Sequence, residues 1–247
     1  MKEKKFFTTQ IIDNFFEDPK KIVRFAKTLK YGKGPDGKWP GVRSPALHDV
    51  NPKFFNSVLT KLLSLSFDFN NHKVGWENVQ MYFQKTYPYD SKNKNNIVNK
   101  GLIHQDGNQP LVGLIYLTEG ADPESGTSIM HPVKRYSEKE ASKLRKKYTD
   151  KKIYIYKKSI KDLTKKDLKD YAKLIKDANS NFAENIKINN IFNRAVLYTG
   201  NDYHKVNSLY TGKKERLTLV FFIKTIETTG YSPLQRLNLV NINLKYT

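Results

Sequence analysis

The stretch that decides the reading is His104-Gln105-Asp106-Gly107-Asn108-Gln109-Pro110, followed by the apolar run Gly113-Leu114-Ile115-Tyr116-Leu117. On an extended segment, side chains two positions apart share a face, so the His104 imidazole and the Asp106 carboxylate can serve one metal ion. A His-x-Asp pair is short and frequent, and it gains meaning only from its context. Downstream, the turn Gly200-Asn201-Asp202 leads into His204-Lys205-Val206, and Arg216-Leu217-Thr218-Leu219-Val220 opens another apolar run. Arg216 and Thr218 again fall on one strand face.

Two imidazoles and one carboxylate make the facial triad of non-haem Fe(II) oxygenases, which leaves the opposite face of the ion open. A 2-oxo acid can chelate two of the open positions and leave the third for O2. If that acid is 2-oxoglutarate, its far carboxylate also needs a fixed cation. Arginine suits this, because two parallel N–H groups set orientation as well as charge. Arg216 is one of 7 arginines in the chain and lies on an apolar strand, where a charge requires a partner.

Working outward, Gln10 to Phe16 reads as a strand. Asp18-Pro19 then makes an N-cap followed by proline at the first helical position, which predicts a helix over about 20–29. Residues 31–45 read as loop, and a second helix is expected over about 52–65. Val79 to Gln84, Leu102 to Asp106, Leu111 to Thr118 and Ser125 to Met130 read as strands, with 88–100 as polar loop. Ser137-x-x-Glu140 and Thr164-x-x-Asp167 are capping-box patterns that open two further helices, with a β-prone patch at Ile153 to Tyr156 between them. Strands resume at Ala195–Thr199, His204–Val206 and Arg216–Lys224, and 231–247 alternates weakly. This order points to an α+β protein built around a β-sandwich or barrel.

The 247 residues suit one domain. There is no Cys, which removes disulfides, thiolate metal sites and cysteine nucleophiles. No apolar run reaches the length of a membrane span and no signal peptide completes itself, so the expectation is an intracellular, cytoplasmic protein. The net charge of +20 invites a nucleic-acid reading. It comes from 37 Lys against 7 Arg alongside 22 Asn, which is how an AT-rich genome writes a solvated surface. The charge is concentrated: residues 131–190 hold 18 basic and 8 acidic side chains.

The quoted stretches, with Glu124-Ser125-Gly126-Thr127-Ser128, Asn193-Arg194-Ala195-Val196-Leu197-Tyr198 and Pro40-Gly41-x-Arg43, resemble the Fe(II)/2-oxoglutarate-dependent dioxygenase superfamily on its prolyl-4-hydroxylase-like side. They resemble above all an uncharacterised branch of phage and marine bacterial genomes. The resemblance covers roughly 10–130 and 190–224. It implies a double-stranded β-helix, or jelly-roll, core over 76–130 and 191–224. Helical support over 1–75, a basic helical insertion over 131–190 and a tail over 225–247 complete the single domain. It implies His104, Asp106 and His204 as iron ligands and Arg216 as the partner of the distal carboxylate of 2-oxoglutarate. Thr218, Tyr82 and Tyr116 are implied as further cosubstrate contacts. The implied reaction is hydroxylation coupled to oxidative decarboxylation of 2-oxoglutarate to succinate and CO2, with O2 as cosubstrate and ascorbate as reductant. A peptide or protein side chain ranks first as substrate, and the basic surface also permits a nucleic acid or an anionic small molecule.

Two rivals stand beside this. One is a non-catalytic nucleic-acid-associated protein that uses the basic insertion. The other is a cupin-like metal protein without redox chemistry, which needs neither Arg216 nor 2-oxoglutarate. Of the remaining candidates, His48, His72 and His131 read as surface residues, Arg43 as a brace for the helical layer, and Trp39 and Trp76 as packing. Tyr154 and Tyr156 read as a half-buried strand of the insertion rather than as base-stacking residues.

Overall fold

The computed structural model describes residues 7–33, 39–99, 101–133, 137–233 and 236. A short strand β1 (Gln10–Ile12) leads to helix α1 (Pro19–Thr28), whose Asp18 cap accepts from the Lys21 N–H at 2.9 Å. Strands β2 (Gly32–Lys33) and β3 (Val42–Arg43) follow, then helices α2 (Leu47–Val50) and α3 (Pro52–Ser64). Asn51 caps α3 by accepting from Phe54 N–H, which again leaves proline at the position whose missing N–H costs nothing. The long strand β4 (Val74–Thr86), helix α4 (Lys94–Val98) and strands β5 (Leu111–Tyr116) and β6 (Thr127–Pro132) come next. Helices α5 (Glu138–Lys157) and α6 (Lys165–Asn179) are each opened by a complete capping box, at Ser137 and Thr164. Strands β7 (Phe182–Ile188), β8 (Ala195–Tyr198), β9 (Tyr203–Val206) and β10 (Arg216–Thr228) close the described chain.

The strands form two antiparallel sheets, one of seven strands in the order β1-β8-β5-β10-β4-β3-β2 and one of three in the order β7-β6-β9. Together they make a two-sheet core of jelly-roll kind, with helices on the outside. The alternation of β10 explains the layering. Leu217, Leu219, Phe221 and Ile223 join Met81, Phe83 and Ile115 in the largest apolar cluster, beneath α1 and α3. The intervening Arg216, Thr218, Val220 and Phe222 line a cavity on the opposite face. That face meets the small sheet through Val112, Tyr116, Val196 and Tyr198 against Ile129 and Ile188. A third cluster, Ile97, Val98, Ile155, Tyr171 and Ile175, joins α4 to α5 and α6.

Five local expectations are corrected. The stretch 31–45 expected as loop contains β2 and β3, because Arg43 and Val42 pair with Gln84 and Lys85 of β4. The Ile153 to Tyr156 patch is the last part of α5, because Ile155 is fully buried in the third cluster and packing overrides β-propensity. The loop expected over 88–100 contains α4, whose Ile97 and Val98 supply that cluster. The strand expected at Leu102 to Asp106 is a single bridge at His104. Phe182–Ile188, inside the stretch expected as insertion over 131–190, is β7 of the small sheet, paired with β6. The helical part of that stretch therefore ends at Asn179, and 191–224 alone does not complete the core. Most of the 231–247 tail lies outside the described residues. Among the described residues no helix is long and apolar enough to cross a membrane.

Candidate functional site

His104 and His204 meet as an isolated antiparallel bridge, His104 N–H donating to His204 O at 3.1 Å and His204 N–H to His104 O at 2.9 Å. Asp106 is fixed next to them by its own N–H, which donates to Gly200 O at 2.9 Å, within the turn before β9. The backbone thus brings the two motifs together without a continuous ladder between them. Each histidine ring is oriented by a carbonyl two residues back: Nδ1 lies 3.0 Å from Leu102 O in His104, and 3.0 Å from Asp202 O in His204. With Nδ1–H donating there, both Nε2 lone pairs are left to face a metal ion, the ring being held by the carbonyl behind it.

The Nε2 atoms face the carboxylate: His204 Nε2 is 3.4 Å from Asp106 Oδ2 and His104 Nε2 is 3.9 Å from Oδ1. One ligand atom from each of the three residues falls within 4.8 Å of the others. Octahedral ligands on bonds of ~2.1 Å stand ~3 Å apart, so small side-chain rotations close this set on an ion. The environment favours neutral imidazole at His204, where burial and the neighbouring His104 push the pKa down to about 4. His104, with its side chain 51% exposed, forms the open side of the site.

Arg216 lies on the same cavity wall and is itself buried. One Nη donates to Ser125 O, while its Nε is buried with no acceptor among the described residues. Burial lowers its pKa, opposed by the nearby Tyr116 and Tyr210 hydroxyls. No carboxylate pairs with it among the described residues. A buried guanidinium left in this way is costly on its own and fits the far end of a dicarboxylate. The loop 207–215 takes up the length between His204 and Arg216, tied down where Asn207 and Ser208 N–H donate to Gly126 and Glu124 carbonyls.

Of the other expected residues, Thr218 lines the cavity beside Arg216. Tyr116 pairs in register with Thr218, is fully buried, and donates its hydroxyl to Thr127 Oγ1 at 2.9 Å. Tyr82 pairs with Val220 and does not line the cavity; its ring lies 5.5 Å from the Arg43 guanidinium.

Residues that the sequence assigned elsewhere complete the walls. Arg43 and Trp39, read as brace and packing, both line the cavity, as do Tyr148 and Lys152 of α5. Arg43 reaches there because β3 pairs with β4 at Gln84, whose Oε1 accepts from Arg43 Nε at 2.7 Å. Gly41 permits that approach: its φ is 75°, and a Cβ there would strike the Lys85 carbonyl. The Pro40-Gly41-x-Arg43 pattern was the available signal for Arg43. Lys152 had none, since an i to i+4 Tyr148/Lys152 pair looks like any helix surface. The segment 101–104 is in turn held by α6, where Asn179 donates to Gly101 O at 2.8 Å and accepts from Ile103 N–H at 3.0 Å.

Comparison with known proteins adds the following. Residues 8–208 match the model of a family of unknown function (DUF6445). No curated protein matches the chain. Among solved structures, HygX from Streptomyces hygroscopicus, with nickel and 2-oxoglutarate bound, aligns with a TM-score of 0.52 at 13% identity, covering 89% of this chain and 84% of that chain. A prolyl hydroxylase from Trichoplax adhaerens, in complex with a hypoxia inducible factor oxygen degradation domain peptide fragment, aligns at TM-score 0.47 and 13% identity, covering 94% and 87%. EvdO2 from Micromonospora carbonacea var. aurantiaca, complexed with 2-oxoglutarate, aligns at 0.46 and 12%, covering 94% and 92%. The HygX likeness is one of fold.

Proposed function

The chain belongs to a family of unknown function, DUF6445, and from that footing we propose that it is an Fe(II)- and 2-oxoglutarate-dependent oxygenase that hydroxylates its substrate. The observation that carries this is the pairing of two sites in one cavity of about 380 Å³: a His104, Asp106 and His204 set that can hold a metal ion, and a buried Arg216 without a carboxylate partner among the described residues. A metal site alone would not need Arg216. The HygX fold, in a protein seen with nickel and 2-oxoglutarate, supports the same reading.

In this account His104, Asp106 and His204 hold Fe(II), and their Nδ1 contacts fix both ring orientation and tautomer. Arg216 binds the distal carboxylate of 2-oxoglutarate, with the Thr218 hydroxyl beside it. Tyr116, through Thr127, shapes the floor. Tyr82 acts at one remove, as part of the aromatic surround of Arg43. Bound together, iron and 2-oxoglutarate supply the oxidising power, with O2 consumed, succinate and CO2 released, and one oxygen atom entering the substrate. Trp39, Arg43, Tyr148 and Lys152 wall the substrate side, and a volume of this size admits a small molecule or a single side chain of a peptide.

The test is aerobic incubation with Fe(II), ascorbate and 2-oxoglutarate, with succinate measured. Slow release without substrate, lost in Asp106→Ala, is the expected result. Absence of succinate across a panel of candidate substrates would overturn the proposal.

A further inference from the structure

Among the described residues, Asp106 is the one acidic side chain lining the cavity, against Arg43, Lys152, Lys205 and Arg216. On the oxygenase reading a divalent ion, the Asp106 carboxylate, Arg216 and a 2-oxoglutarate dianion are together neutral. Arg43, Lys152 and Lys205 are then left over, none with a carboxylate partner among the described residues; Lys205 adjoins His204 on β9, which leaves Arg43 and Lys152 as the two surplus cations on elements outside the metal set.

Both are built into place. The Arg43 guanidinium sits 4.3 Å from the Trp39 ring, 5.4 Å from Phe222 and 5.5 Å from Tyr82. These ring faces steady the cation but offer it no acceptor. Its Nε is used by Gln84, and its outer N–H groups meet no protein acceptor among the described residues. The Trp39 Nε1–H in the same wall is also buried without one. Lys152 is half-buried on α5, one turn beyond Tyr148, and the two line the cavity together. Its neighbour Lys151 is neutralised by Asp167 at 3.0 Å, whereas Lys152 has no such pair among the described residues. Burial draws the Arg43 pKa down to about 10 and lowers that of Lys152, so Arg43 stays cationic at neutral pH.

We propose that the substrate is an anion whose carboxylate or phosphate group is held by Arg43 and Lys152. This gives Pro40-Gly41-x-Arg43 and the basic helix α5 a shared role in selecting substrate, and it rests on the oxygenase reading only for the charge of the neutral set.

Trp39 is one of two tryptophans and stacks on Arg43, so its fluorescence reports on the anion directly. The protein is loaded with nickel and saturating 2-oxoglutarate, at ionic strength fixed with chloride, and titrated with inorganic phosphate, acetate or uncharged acetamide. Saturable fluorescence change is expected with at least one anion and not with acetamide. Affinity should fall at least about tenfold in Arg43→Gln and in Lys152→Gln, as expected for loss of a charge-assisted contact. The exposed Lys146→Gln should match wild type. Tighter phosphate than acetate points to a phosphomonoester, and the reverse to a carboxylic acid. If Arg43→Gln melts early, Arg43→Lys and Lys152→Gln carry the comparison. No saturable binding, or equal affinity in wild type and both charge variants, overturns the inference. Calorimetry of 2-oxoglutarate on the nickel protein separates the two claims. If it binds and the anions do not, only this inference falls. If it fails to bind, the oxygenase reading falls and the anion titration is judged without it.

Discussion

His104 and His204 hold each other by two reciprocal backbone hydrogen bonds, and their rings stand 4.4 Å apart over the Asp106 carboxylate. The metal set is therefore assembled by main chain, and its side chains can be changed with little effect on the scaffold. Asp106→Ala is predicted to keep the folded circular dichroism spectrum while nickel affinity, measured by calorimetry, drops more than about a hundredfold. That exceeds the 10–100-fold typical of losing an outer-shell partner. Retained affinity would remove Asp106 from the site.

Arg216 is a buried cation without a carboxylate partner among the described residues, and its desolvation is only partly offset by the Ser125 carbonyl and the Tyr116 and Tyr210 hydroxyls. Replacing it with a similar apolar volume, Arg216→Met, should raise the melting temperature of the metal-free protein, since a buried unpaired charge is removed. The same variant should bind 2-oxoglutarate at least about thirtyfold more weakly, corresponding to the 2 kcal/mol or more of a lost buried charge contact. Stability and binding moving in opposite directions is the signature of a functional rather than structural arginine.

Asn179 links α6 to the chain just before His104 through Gly101 O and Ile103 N–H. Asn179→Ala should cost about 1–3 kcal/mol from the unpaired groups and weaken metal binding about tenfold. Thermal melts and nickel calorimetry check the two halves. Unchanged metal affinity would separate the helical hairpin from the site.

Gly113 of β5 leaves no room for a side chain between β8 and β10. An added Cβ would meet the Val196 carbonyl, and also Phe221 Cζ at 2.7 Å. Gly113→Ala should destabilise the fold by about 1–3 kcal/mol, as overpacking does, read by urea denaturation. A neutral result would mean that the two central strands are more loosely joined than the packing shows.

Much of this was legible in the sequence for physical reasons. Capping residues act locally, so Asp18, Ser137 and Thr164 announced their helices. The alternation in Arg216-Leu217-Thr218-Leu219-Val220 separated a core face from a site face. That His104, Asp106 and His204 come together was readable only from the order of the two motifs on strand-like segments, since a His-x-Asp pair by itself is common. What escaped depends on contacts between distant segments. Ile155 looks β-prone until α4 and α6 bury it. Phe182–Ile188 looked like the end of an insertion because only pairing with Thr127–Pro132 makes it a core strand. Arg43 on β3 and Lys152 on α5 come to one cavity from segments far apart in sequence, and nothing local marked Lys152 for it.

On the proposed function, one cavity holds both a metal and 2-oxoglutarate. The most direct test of this is an anaerobic titration of the Fe(II) protein with 2-oxoglutarate, following the weak visible charge-transfer absorption of a metal-bound 2-oxo acid. A saturable band is expected in wild type, strongly weakened in Arg216→Met and absent in Asp106→Ala. Iron binding without any band would contradict the proposed function and leave a metal protein without this cosubstrate.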